Sequence, residues 1–100
     1  MAHKRVDLVE FKQVLTKEGI QLVDVRTPGE YAGGYIGNAQ NIDFRSASFL
    51  EDLEKGVDKS KPVAIYCAAG GRSAKALEIM KQAGFEEVYE LKVGYNGYQE

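Results

Sequence analysis

The 100-residue sequence holds one cysteine, one histidine, two prolines and no tryptophan. The single cysteine, Cys67, excludes an intramolecular disulfide and a CxxC redox pair. One histidine, His3, leaves too few ligands for a Cys/His metal cage, so no metal is expected. His3 itself reads as a solvated terminal residue. No apolar run approaches the ~20 residues that cross a bilayer, and "MAHKRVDLVE" has charge but no apolar signal core. A cytoplasmic location is expected, or a periplasmic one if a signal peptide has been removed. The formal charge of -2 gives no electrostatic footprint for nucleic acid or a membrane surface. The six tyrosines therefore read as core and rim residues rather than a base-stacking platform.

With 44% hydrophobic residues, the chain carries enough apolar mass to fold. No repeat or low-complexity linker divides it, so residues 1–100 read as a single domain. "VDLVEFKQVLTKEG" predicts a helix, with Asp7 and Glu10 at capping-box spacing, Leu8, Phe11 and Leu15 on one face, and Gly19 as the stop. "IQLVDV" reads as a buried strand over Gln21 to Val25. Thr27 and Glu30 form a second capping box, with Pro28 at the first helical position. "AQNI" is a short strand. "SASFLEDLEKG" is a helix capped from Ser48, with Phe49, Leu50 and Leu53 inward. "VAIYC" is a strand, Ser73 to Ala83 a helix, "EVYEL" a last strand and "GYNGYQE" a final helical turn. Strands alternating with helices predict an α/β fold, a mostly parallel sheet with helices on both faces.

In such a sheet, ligands bind outside the carboxyl ends of the strands. Cys67 falls at one of those ends, in "VAIYCAAGGRSAKALEIM". Loop N–H groups and the following helix N-terminus would converge on one concavity there, favouring a thiolate. Gly70 and Gly71 let the backbone curl, Ala68 and Ala69 keep the mouth open, and Arg72 orders carbonyls or holds an anion. Ser73 would cap the helix and donate a hydrogen bond. A free cysteine at a strand end is more often a small buried hydrophobe, but this context reverses the odds. A P-loop is disfavoured because no lysine follows the glycines. Asp24 and Arg26 end the strand on the same sheet edge. There Asp24 would approach the loop and Arg26 line its mouth, or, as favoured here, Arg26 pairs with Glu30 to fix the turn.

Three stretches carry a resemblance. "LVDVRTPGEYAGGYIGNAQNI", "YCAAGGRSAKAL" and "GFEEVYELKVGYNGY" resemble, in order, the motifs of rhodanese-like domains. The family pattern has D-V-R with a glutamate four residues beyond the arginine, G-H-I with a following A-x-N, and a C-x-x-G-x-R-S loop. The resemblance implies a rhodanese-like α/β fold with about five strands. It also implies a thiosulfate:cyanide-type sulfurtransferase that needs no cofactor; separately, a monomer is expected. Cys67 would take sulfane sulfur from thiosulfate or a protein persulfide, then pass it to cyanide or a thiol. The N–H groups from Ala68 to Ser73 would surround the persulfide, and Arg72 would help place the anion. The alternative is a low-turnover sulfur carrier or regulatory binding module.

Cysteine-dependent tyrosine phosphatases place five residues between Cys and Arg. Here four intervene, and the tighter ring suits a sulfur atom better than a phosphoryl group. Several positions depart from the family pattern. Tyr35 stands for its histidine, Asn38 for a glycine, and Val93 and Tyr98 for a glycine and a tryptophan. Ala68 and Ala69 bring no charge where many thiosulfate-using members carry a basic residue, so weak thiosulfate activity is expected.

Overall fold

A computed structural model describes residues 2–99. Its strands are β1 (Ala2–Val6), β2 (Gln21–Asp24), β3 (Gln40–Asn41), β4 (Val63–Tyr66) and β5 (Glu87–Leu91). Its helices are α1 (Leu8–Val14), α2 (Pro28–Ala32), α3 (Phe49–Gly56) and α4 (Gly71–Gln82), with a 3-10 turn at Tyr95–Gly97. The five strands make one sheet in the order β1-β5-β4-β2-β3, and every described pairing is parallel.

Side-chain alternation along the strands divides the core in two. On one face Val23, Val63, Ile65 and Val88 pack with Phe49 and Leu53 of α3 and with Ala76, Leu77 and Met80 of α4. On the other, Leu22, Ala64, Tyr66, Tyr89 and Leu91 pack with Phe11 and Val14 of α1 and with Ile36 and Ala39. β4, the middle strand, is buried along its whole length, as a parallel strand covered on both faces should be. Cys67 follows directly on it, which places the thiol at the carboxyl edge of the sheet's centre.

The sequence pattern predicts no strand at β1. Its residues "AHKRV" are mostly polar, and as an edge strand it leaves Lys4 and Arg5 exposed, so no apolar pattern announces it. His3 is accordingly no loose terminal residue: it is half-buried, with Nε2 2.6 Å from the Phe85 carbonyl. α1 stops at Val14, short of Gly19, although Asp7 does cap it by accepting from the Glu10 N–H at 2.8 Å. In α3, Ser48 makes no cap bond and instead donates to Asp52 at 3.0 Å, while Leu50, expected inward, is exposed.

Candidate active site

The loop between β4 and α4 begins at Cys67 and turns through Gly70, whose φ of +97° lies in the left-handed region. That turn starts α4 at Gly71, two residues earlier than the sequence suggested. Ser73 is therefore not the cap. It sits in the first helical turn, buried, with its hydroxyl facing inward toward the sulfur.

Around Cys67 the donors converge. The Gly70 N–H reaches Sγ at 3.1 Å and the Ser73 hydroxyl at 3.3 Å. Burial is the largest influence on the thiol and pushes its pKa up. The Ser73 hydroxyl and the N–H groups of Ser73, Gly70 and Ala69 outweigh it, so the net shift is downward. Cys67 is 1% exposed and touches the core, as a plain buried hydrophobe would. The aimed N–H and O–H groups are what distinguish it from one. Among the described residues, no hydrogen bond to sulfur comes from Ala68, Gly71 or Arg72, so the donors are fewer than a full ring.

The loop keeps this shape because its carbonyls are engaged on the outside. The Tyr95 N–H donates to the Cys67 carbonyl at 2.7 Å, and the Asn96 N–H to the Ala68 carbonyl at 3.0 Å. With the carbonyls turned outward, the N–H groups are free to face the sulfur. The approach is close. A Cβ on Gly94 would lie 2.3 Å from the Ala68 carbonyl oxygen, and one on Gly70 2.3 Å from that of Lys92.

Three ion pairs brace the edge. Arg72 forks onto Glu30, with Nη1–Oε1 at 2.7 Å and Nη2–Oε2 at 2.9 Å. This holds the Glu30 carboxyl down at about 2; Arg72 is the chief cause, and the Thr27 N–H and hydroxyl add to it against burial. The expected Arg26–Glu30 pair is thus replaced. The Thr27–Glu30 capping box forms, and it presents Glu30 to Arg72 rather than to Arg26. Arg26 instead grips Asp24 at 2.7 Å and the Gly34 carbonyl at 2.6 Å, and its guanidinium lies 4.2 Å from the centre of the Tyr95 ring. Both Asp24 and Arg26 are buried, so Arg26 supports the edge from beneath rather than lining a mouth. Asp24 is occupied by Arg26, and no hydrogen bond joins it to the 67–73 loop among the described residues.

The third pair, Arg5 Nε to Glu90 Oε1 at 2.6 Å, joins two residues to which the sequence reading assigns no role. Arg5, Glu90 and Ile65 stand in register across β1, β5 and β4, so they share the face that also carries Cys67. A signal existed: in "EVYEL" a glutamate falls at an alternation position shared with Val88, on the buried side. Arg5 also reaches the Gly70 carbonyl at 3.3 Å, which ties the edge strand to the loop.

The family model for the rhodanese-like domain matches residues 7–100. The chain belongs to the rhodanese-like domain family. Among solved structures, a rhodanese-like domain protein from Staphylococcus aureus superposes with a TM-score of 0.81 at 32% identity, covering 97% of this chain and 92% of that one. The protein SSP1007 from Staphylococcus saprophyticus also gives 0.81, at 28% identity over 96% and 93%. Among curated proteins, YqhL of Bacillus subtilis is 39% identical over 75% of this chain, which spans 57% of that protein. The thiosulfate sulfurtransferase GlpE of Coxiella burnetii is 30% identical over 99% of this chain and 90% of its own length. A tRNA uridine(34) hydroxylase of Cytophaga hutchinsonii is 32% identical over 95% of this chain, but only 31% of that protein is covered. The chain is thus similar both to proteins of about its own length and to a part of longer ones. The parallel five-stranded sheet agrees with these neighbours.

Proposed function

We propose that this chain is a sulfurtransferase that carries sulfane sulfur as a persulfide on Cys67. The observation that supports it most is the pair of donors on Sγ, the Gly70 N–H and the Ser73 hydroxyl, at the carboxyl end of the central strand. They favour the thiolate, which is the nucleophile. In the first half-reaction the Cys67 sulfur bonds to the outer sulfur of the donor, whose own S–S or S–SO3 bond breaks and leaves as thiolate or sulfite. In the second, cyanide or a thiolate attacks that outer sulfur, and the Cys67 sulfur departs with its electron pair. Two displacements at one sulfur imply ping-pong kinetics. The likeness to GlpE supports the same reading.

The charge around the loop bears on the donor. Arg5, Arg26 and Arg72 are each paired with a carboxylate, and Ala68 and Ala69 add no cation. A doubly charged thiosulfate gains little at such an edge, so a protein persulfide or an organic polysulfide, whose sulfane sulfur is not carried on a small dianion, is the favoured donor. The test is thiocyanate formation with cyanide as acceptor, run in parallel with thiosulfate, polysulfide and a persulfide donor. The polysulfide or persulfide reaction should show the higher kcat/KM, and Cys67→Ala should abolish all three. Equal or better use of thiosulfate at micromolar KM would overturn the donor assignment.

A second reading is a low-turnover sulfur carrier or regulatory module, favoured by the 1% exposure of Cys67. It predicts persulfide loading with negligible thiocyanate turnover.

A further inference from the structure

Glu90 is fully buried, and the sulfur transfer described above leaves it unused. Its Oε2 lies 2.5 Å from the Ser73 hydroxyl oxygen, and that same oxygen lies 3.3 Å from Cys67 Sγ. The three groups form a line of sulfur, hydroxyl and carboxylate. Ser73 has one hydrogen, so it can donate to the sulfur or to the carboxylate but not to both.

Each protonation state of the line then has one satisfied arrangement. With Cys67 as thiol, S–H donates to Ser73 and Ser73 donates to the Glu90 carboxylate. With Cys67 as thiolate, Ser73 donates to the sulfur, and Glu90 completes the line only by carrying the proton itself and donating it to Ser73. Two anions flanking one hydroxyl would leave an acceptor facing a lone pair in a buried place, which is costly.

We propose that Glu90, acting through the Ser73 hydroxyl, takes up the proton of the Cys67 thiol when the sulfur attacks and returns it when the sulfur leaves. The proton balance closes. On attack the S–H bond breaks, its proton binds Ser73 Oγ, and the original Ser73 proton passes to Glu90 Oε2. The Cys67 sulfur, freed of its proton, bonds to the donor's outer sulfur as the donor's remainder leaves with the broken bond's electron pair; an intact hydroxyl and a neutral carboxyl remain. When an acceptor later removes the outer sulfur, the same path run backwards restores the thiol. No water or bulk base enters the buried line. Glu90 touches no reacting atom, so its role is to position protons.

The charged groups facing this line are few. From β1, Arg5 Nε holds Glu90 Oε1 and its other nitrogen reaches the Gly70 carbonyl. From α4, Arg72 is turned to Glu30. β4 presents apolar Ile65 opposite Glu90. Arg5 is half-exposed, so it can remain solvated when Glu90 is neutral.

This inference builds on the sulfurtransferase reading, but its test does not need sulfur transfer. Alkylation of Cys67 by neutral iodoacetamide is followed against pH. In the wild-type protein, internal proton transfer should hold the rate on a plateau below the pH where the thiol loses its proton to solvent. Glu90→Gln removes the acceptor, and the rate should then fall about tenfold per pH unit with no plateau. Ser73→Ala cuts the line while keeping the Arg5–Glu90 pair, and should lose the plateau equally. The double variant should lose nothing further. Ser73→Thr, which restores a hydroxyl, should regain it. Thermal melts identify any variant that fails to fold, and the Ser73 series stands without Glu90→Gln. A plateau that survives Ser73→Ala would overturn the relay. So would a Glu90→Gln profile that overlays the wild type or shifts bodily to lower pH, since Glu90 would then act as a bulk charge alone.

Discussion

The two edges of the sheet are held by different kinds of bond. At the amino edge, the turn before β4 is tied by exposed hydrogen bonds: the Gln21 amide exchanges bonds with the backbone of Asp58 at 2.8 and 2.9 Å. Lys59 reaches Glu54 and the Ala83 carbonyl nearby. At the carboxyl edge, three arginine–carboxylate pairs sit under or against the 67–73 loop, and two of the carboxylates are fully buried. Exposed bonds of the first kind contribute little and are easily replaced by water. The Arg26–Asp24 pair, buried on both sides, costs desolvation, and losing one partner strands the other. The costly arrangement stands where a backbone loop must keep its N–H groups aimed at one atom.

The contrast can be broken most severely at the Arg26–Asp24 pair. Arg26→Ala leaves Asp24 buried without its counter-charge, and should cost roughly 3–5 kcal/mol in denaturant unfolding. A loss under 1 kcal/mol would show that the edge is not held in this way. Next comes Gly94→Ala, where the new methyl meets the Ala68 carbonyl at a φ of +65°. Strain of about 1–3 kcal/mol should appear. Persulfide loading should fall by tenfold or more, because the loop must move. Unchanged loading would mean the 92–96 segment does not shape the site.

The Glu30–Arg72 clamp sharpens the comparison through pH. The Glu30 carboxyl is lowered from 4.5 to about 2, so it favours the folded state when ionised. Its contribution is whole above about 4.5 and is lost as pH falls towards 2. Glu30→Gln should flatten the stability profile in that window and leave it unaltered near pH 7 apart from a constant offset. A wild-type slope retained in the variant would assign acid sensitivity elsewhere. The smallest effect belongs to the amino edge: Gln21→Ala should cost about 1 kcal/mol or less and leave loading unchanged. A loading defect in that variant would end the distinction between the edges.

Much of this edge is readable from local signals. The Cys67 loop follows an apolar run and precedes a helix, and the Thr27–Glu30 box is complete in four residues, so both are legible. What escaped depends on distance along the chain. Glu30 and Arg26 stand four apart, which invited a local pair, yet the cap turns Glu30 to Arg72, 42 residues away. Ser73 looked like a cap because serine favours that place, but a left-handed Gly70 begins the helix sooner. β1 hides because a mostly polar edge strand shows no core pattern until its partner is known, and Glu90, on the interior strand β5, finds its counter-charge only on β1. Arg5 and Glu90 make sense only as a pair.

The central claim is that Cys67 is a sulfur carrier, and intact mass answers it most directly. After exposure to a sulfane donor and removal of the excess, the protein should gain ~32 Da on the peptide bearing Cys67, and cyanide should return it to its starting mass. A mass unchanged by thiosulfate, polysulfide and a persulfide donor alike would contradict the account.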